Sequence, residues 1–351
     1  MSANARDVEL LINGRWTASS SGRTVVNTSN ITGDAITTVA AATVSDVDAA
    51  VDAAADGMEQ WAGANPGQRR ALLERAAQLL SERSRQISAL MASEMGGVIR
   101  WCGFNVDVAV GMLREAAAQT YSTVGEVIPS DVPGLTALGL RQPAGVTVGI
   151  APWNAPLILG VRAVAMPLAY GNTVILKASE QTPGTHAEIA RALHDAGLPP
   201  GAINLITNAA EDGPQIVERL VTHPTVRRIN FTGSTRVGRI IGELAGKHLK
   251  RVVLELGGKA PMLVLSDADI DGAVDAAVFG AFMNQGQIWV AGSWGSPTTS
   301  DAARAASLLV NSSHSCEATT MRSVDMQICP WFMNAPKTAA STAPSMSASL
   351  S

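Results

Sequence analysis

The chain has 351 residues, 46% of them hydrophobic, and a formal net charge of −4. That length supports two domains with a buried core. The composition excludes a chain disordered throughout and lacks the basic footprint of a nucleic-acid-binding protein.

Three cysteines, with Cys316 and Cys329 close together near the end, make no disulfide framework. The first residues, Met1 to Asp7, lack the basic start and apolar run of a signal peptide, so a soluble cytoplasmic protein is expected. The most apolar stretch, residues 146–176, is interrupted by Pro152, Asn154, Pro156, Arg162 and Pro167. It therefore reads as buried core and not as a membrane span.

In chain order, Leu10-Leu11-Ile12 reads as a short strand entering a turn at Asn13-Gly14. From Ser45 the pattern is helical, with Leu72, Leu73, Ala76, Leu79, Leu80, Ile87, Leu90 and Met91 recurring on one face. Residues 104–123 predict a further helix, and 126–141, with Pro129, Pro133 and Gly134, a β-rich excursion.

From Gly145 strands and helices alternate. Strands are expected at 146–150, 173–176, 203–206, 228–231 and 252–255. The helix between Pro156 and Gly171 is followed by one with Thr182 as N-cap, Pro183 at its first position and Gly197 as its stop. Helices at 214–221 and 236–245 complete the run. Five apolar strands alternating with helices define an α/β fold with a doubly wound parallel sheet. Residues 289–351, rich in Ser, Ala and Thr and without periodicity, are expected to be disordered.

Four short segments sit at the carboxyl ends of these strands, where open α/β sheets bind ligands. Glu255 ends an apolar strand before Gly257-Gly258; a carboxylate there is either functional or caps a neighbouring helix. Phe231-Thr232-Gly233-Ser234 leads into a helix, and either cradles a phosphate or is an ordinary strand–turn–helix link with a serine cap. Lys177-Ala178-Ser179-Glu180 can hydrogen-bond a ribose, or can be a solvated ion pair. Asn154, in Pro152-Trp153-Asn154, can aim its amide at an oxyanion or simply form a turn.

Taken together and in order, these segments resemble the aldehyde dehydrogenase superfamily over residues 10–288. Ile128-Pro129-Ser130-Asp131-Val132-Pro133-Gly134, Arg141-Gln142-Pro143 and the run from Gly149 to Arg162 resemble its aromatic aldehyde branch, which includes salicylaldehyde, vanillin and benzaldehyde dehydrogenases.

The resemblance implies a residue-by-residue site. Asn154 would stabilise the oxyanion, Glu255 would activate water, and Trp101 and Arg162 would line the aromatic pocket. Lys177 and Glu180 would hold the adenosine ribose of NAD, and Gly233 with Ser234 the pyrophosphate. Ile150, Pro152, Trp153, Ser179, Gly213, Phe231, Leu256 and Gly257 would complete the cofactor contacts. Glu180 would repel a 2′-phosphate, which favours NAD over NADP. Arg162 can equally be a helix arginine paired to a carboxylate, and Trp101 plain core. No metal is implied.

The resemblance also implies a domain plan: residues 1–125 and 144–256 as the NAD-binding domain, 126–143 as an oligomerisation arm, and 257–288 as the start of a catalytic domain. Homo-oligomers are implied for the intact family, with small aromatic aldehydes as substrates. The implied mechanism needs a thiolate to attack the aldehyde before hydride leaves for the nicotinamide. Thirty-four residues beyond Glu255, where the resemblance calls for that cysteine, stands Trp289. The abrupt loss of similarity after Ile288 is what a reading-frame shift produces. The expectation is a truncated catalytic domain and an inactive chain. Rescue by Cys316 or Cys329 is not expected, because a nucleophile must be placed to within about an ångström. A non-catalytic nucleotide-binding or scaffold protein is the competing reading.

Overall fold

A computed structural model describes residues 6–122, 125–258, 261–262, 264, 267–284, 286–287 and 293–294. Trp289 and nearly all of the segment after it lie outside the described residues. The chain divides into two compact units, Met1–Leu256 and Gly257–Ser351.

The first unit opens with strands β1 (Arg6–Val8), β2 (Leu10–Ile12), β3 (Arg15–Thr17), β4 (Thr24–Thr28) and β5 (Ala35–Ala40). Helices α1 (Val44–Asp56), α2 (Met58–Gly63), α3 (Pro66–Glu82), α4 (Ser84–Met95) and α5 (Ile99–Gln119) follow. Thr43 with Asp46, and Asn65 with Gln68, form capping boxes at α1 and α3, satisfying N–H groups the first turn leaves unpaired. The fifth helix starts five residues before the position expected from its periodicity and ends four before its expected end. Strands β6 (Glu126–Ile128) and β7 (Ala137–Gly139) form a two-stranded antiparallel ribbon of their own. Val127, Ile128, Val132, Leu135, Leu138 and Leu140 are exposed on this excursion.

The alternating part comprises β8 (Val146–Ile150), α6 (Pro156–Ala169), β9 (Thr173–Lys177), α7 (Pro183–Asp195), β10 (Ile203–Ile206), α8 (Gly213–Thr222), β11 (Val226–Gly233), α9 (Thr235–Lys247) and β12 (Arg251–Leu256). Every residue of β8, β9 and β10 is buried, as near-continuous apolar strands require when both faces of a parallel sheet are covered. On one face α1, α8 and α9 pack over Val148, Ile150, Ile175, Ile206 and Phe231. On the other, α6 and α7 lie against β8 to β10, backed by α3 and α5.

The sheet differs from the expected five parallel strands. It has seven, in the order β12-β11-β8-β9-β10-β2-β3, because the N-terminal hairpin adds two antiparallel strands beside β10. Leu11 pairs with Leu205 there, and Leu10 and Leu11 are fully buried. From β8 the sheet grows through β9 and β10 on one side and through β11 and β12 on the other. The β8–β11 boundary is therefore the topological switch point, where a crevice opens at the strands' carboxyl ends.

In the second unit, β13 (Pro261–Met262) pairs in parallel with β14 (Ser293–Trp294). Helix α10 (Ile270–Phe282) is capped by Asp269, which accepts from Gly272 N–H at 3.1 Å. Ala277 is buried there against Val264, Ala273 and Val274.

Candidate functional site at the carboxyl edge of the sheet

Register places the candidate residues side by side. Lys177 pairs with Ile150, Ile150 with Phe231, and Phe231 with Leu254, so these chain-distant positions share one level of the sheet. One level further on, Thr232 pairs with Glu255.

At the end of β9, Lys177 has a side chain only 5% exposed and forms an ion pair with Glu180. Asn208, just past β10, donates its amide to the same Glu180 oxygen at 2.9 Å. Burial pulls the Lys177 ammonium below its ordinary range, against the opposing charge of Glu180. Burial also works to raise Glu180, but the charge and hydrogen bond of Lys177, with Asn208, hold its carboxyl below the usual range. A buried donor and a partly open acceptor, side by side, suit the vicinal hydroxyls of a sugar. Gly213 opens α8 beside them, and a Cβ there would stand 3.2 Å from the Glu180 carboxylate. Asn208 Oδ1 is buried without a hydrogen-bond partner among the described residues.

The loop between them is held from behind. Ser179 donates its backbone N–H to His186 Nδ1 at 3.0 Å, and its hydroxyl accepts from Gln181 N–H at 3.3 Å. The expected N-cap, Thr182, makes no capping bond. A buried carboxylate takes over: Glu94 of α4 accepts from Gly184 N–H at 2.8 Å, Thr185 N–H at 2.9 Å and the Thr185 hydroxyl at 2.6 Å. Burial pushes the Glu94 carboxyl up to about 7 while those donors pull it the other way.

At the switch point itself, Pro152, Trp153 and Asn154 follow β8 and are half-buried. Trp101 of α5 is 4% exposed, stacks on Phe104 at 5.6 Å and donates its indole N–H to the Asn154 carbonyl at 3.3 Å. It is core and a tether of the Asn154 turn together.

Across the crevice, Ser234 caps α9, its hydroxyl accepting from Val237 N–H at 3.3 Å. Ser234 thus caps the helix whose N-terminus faces the crevice end of β11. Gly233 is required by packing, since a Cβ would lie 2.5 Å from the Phe231 ring. Phe231 and Ile150 themselves belong to the buried core.

Glu255 lies on the edge strand β12 with 56% of its side chain exposed, 3.9 Å from Arg162 of α6. Arg162 also donates to the Thr232 hydroxyl at 3.3 Å. The structure thus brings Arg162, Thr232 and Glu255 together around the switch point. Leu256 packs its methyl groups against Gly238 of α9. Gly257 opens the second unit.

Asn208 and His186 were missed by sequence reasoning, and Thr232 was named only within the Phe231–Ser234 segment. Asn208 and Thr232 carry a usable signal, a polar residue at a strand's carboxyl end; His186 sits mid-helix and carries none. Among the described residues there is no cluster of three His, Cys, Asp or Glu able to hold a metal. No described helix is long and apolar enough to cross a membrane.

This is a doubly wound α/β topology with the candidate residues gathered at its switch point, and comparison with known proteins makes the class specific. The aldehyde dehydrogenase family model matches residues 16–294, and the chain belongs to that family. It is 60% identical over 281 residues to vanillin dehydrogenase of Pseudomonas sp. (strain HR199 / DSM 7063), covering 80% of this chain and 58% of the relative. It is 44% identical over 280 residues to salicylaldehyde dehydrogenase of Pseudomonas putida, covering 80% of this chain and 58% of that protein. The crystal structure of a salicylaldehyde dehydrogenase from Pseudomonas putida G7 complexed with salicylaldehyde superposes with TM-score 0.85 at 40% identity, over 88% of this chain and 64% of that one. A NAD-dependent benzaldehyde dehydrogenase from Corynebacterium glutamicum gives 0.81 at 35% identity, over 89% of this chain and 67% of that one. The chain thus spans a little over half the length of the curated relatives it matches.

Proposed function

We propose that this carboxyl edge is a site for NAD and an aromatic aldehyde of the vanillin or salicylaldehyde type, as used for oxidation of the aldehyde to the acid, but without the nucleophile for that step in this chain. The observation that carries the proposal is the buried Lys177–Glu180 pair with Asn208 at the end of β9. Relatives and neighbours named for aromatic aldehydes and for NAD support it.

The donor set fits a dinucleotide. Lys177 would donate to, and Glu180 accept from, the adenosine ribose, while Glu180 would place negative charge where a 2′-phosphate would sit. Solved neighbours include both an NADP-dependent enzyme and NAD-dependent ones, so the preference belongs to the residues of each chain. Bound NAD supplies the hydride acceptor. Asn154 lies at the switch point to hydrogen-bond the carbonyl oxygen as it gains charge. Glu255, open to solvent and near Arg162, would take a proton from water. Arg162, partly exposed, would face the aromatic ring, whereas the buried Trp101 would act through the Asn154 turn that it holds.

In this chain Trp289 stands where the resemblance calls for the thiol, and an indole is no nucleophile. That residue favours a second reading, in which the chain binds NAD without turning aldehyde over. The assay is vanillin or salicylaldehyde with NAD, read as NADH absorbance, beside direct titration of NAD and NADP. Binding of NAD tighter than NADP with no NADH formed is the expected result. Loss of the covalent route costs about 10⁶-fold in rate in catalytic-triad enzymes. Robust turnover would return the chain to the full reaction, and NADP bound as tightly as NAD would remove the role given to Glu180. The arm at 126–143 and a homo-oligomer remain part of the same proposal, tested by light scattering.

A further inference from the structure

The loop of residues 177–182 carries the Lys177–Glu180 pair and is fastened from behind by His186, Glu94 and Asn27. His186 is the central fastening. Its side chain is fully buried, and its Nδ1 takes the Ser179 backbone N–H at 3.0 Å. Helix α6 makes room for the ring with Gly160, where a Cβ would lie 2.9 Å from the His186 Cδ2 and 2.4 Å from the Ile189 Cδ1.

The ring is held neutral. Burial, and then the nearby Lys177 charge, push His186 down to about 3. A neutral imidazole whose Nδ1 accepts must carry its proton on Nε2, so the tautomer is set by the Ser179 peptide.

The platform beneath His186 is itself fixed. Glu94 seats the first turn of α7, and Asn27 of β4 donates to both Glu94 and the Gln181 carbonyl at 3.3 Å. The segment bearing Lys177 and Glu180 is therefore anchored at Ser179 by α7 and at Gln181 by β4. Its start is tied to the neighbouring strand by Ala178 N–H donating to the Ile206 carbonyl at 2.9 Å.

We propose that His186 is a positioning residue for nucleotide binding, fixing the Ser179 peptide so that Lys177 and Glu180 keep their spacing for the ribose. This rests on the reading of the Lys177–Glu180 pair as the ribose site.

Two amide substitutions separate an acceptor in the right place from mere bulk and polarity. In His186→Asn the Oδ1 stands the same number of bonds from the backbone as Nδ1; in His186→Gln the amide reaches one bond further. The full-length chain and both variants are titrated with NAD, and amide exchange is followed across residues 177–182. Asn is expected to bind within about twofold of wild type. Gln is expected to bind about five- to tenfold more weakly, the worth of one hydrogen bond, with faster exchange at Ser179. Asn and Gln binding alike, or exchange at Ser179 unmoved by Gln, overturns the inference. A wild-type chain that binds no NAD instead overturns the reading on which it rests, and the two failures are told apart by that one titration.

Discussion

The two halves of the carboxyl edge are built differently. Around Lys177 the strand is buried, the ion pair is shielded, and α7, α4 and β4 support the loop from behind. Around Glu255 the strand is at the edge of the sheet, with β11 as its one partner among the described residues, and the carboxylate is mostly exposed. The difference teaches that one edge can combine a buried, well-supported half with an open one. Groups that bind a ligand benefit when the fold already holds them in place, because less entropy is lost on association. A group that must meet water gains from openness.

The largest expected effect tests that contrast through packing. Leu176→Ala, directly before Lys177 and fully buried, is expected to destabilise the fold by about 2–5 kcal/mol. Val253→Ala, on β12 and 56% exposed, should cost less than about 1 kcal/mol. Urea midpoints measure both, and equal losses would mean that β12 is covered as well as β9.

Next comes ligand binding. Lys177→Met removes the buried cation and is expected to weaken NAD by about 10- to 100-fold, the range for a charged hydrogen bond. Glu255→Gln should leave NAD affinity within about twofold. Calorimetric titration decides, and similar losses in both variants would merge the two halves into one site.

The supports of the closed half have opposed pH signatures. Glu94 is raised from 4.5 to about 7, so the fold keeps a proton that the unfolded chain has released, and its contribution is lost as pH rises through that window. His186 is lowered from 6.5 to about 3, so the unfolded chain gains a proton that the fold refuses, and its contribution is lost as pH falls from 6.5 toward 3. Between 4.5 and 6.5 the two cancel. Removing His186 (His186→Asn) should therefore expose a stability that falls with rising pH by up to about 1.4 kcal/mol per unit. Glu94→Gln should expose the opposite slope. Urea unfolding between those pH values reads the sign directly.

The smallest effect belongs to the open half. A double-mutant cycle on Arg162→Ala and Glu255→Ala should give a coupling below about 0.5 kcal/mol, because both side chains are partly hydrated and 3.9 Å apart. A coupling above about 2 kcal/mol would mean that the pair is as closed as Lys177–Glu180.

What could be read from the residues follows the range of the interactions. The central strands β8 to β10 were legible because doubly covered strands are continuous apolar runs, β11 and β12 because they continue the strand–helix alternation, and Pro183 marked the start of α7 correctly. Its cap was not, since Glu94 lies 90 residues upstream of Gly184. The hairpin was legible as a strand and a turn, but its place in the main sheet depends on Leu11 meeting Leu205, which no local pattern records. For Ser234 the sequence left phosphate cradle and helix cap open, and the bond to Val237 shows the cap without deciding the cradle. Lys177 and Glu180 are three residues apart, so their pairing was visible; Asn208, which completes the group, arrives from the next strand.

The pairing of β2 with β10 also sets a schedule for synthesis. A ribosome releases the N-terminal hairpin first, yet the strand that receives it is made some 190 residues later. At about 5–20 residues per second, Leu10 and Leu11 wait on the order of ten seconds or more before their place in the sheet exists. Throughout that wait two of the most deeply buried leucines of the finished protein are without their permanent neighbours. The hairpin's place in the sheet is thus completed only once Leu205 has emerged.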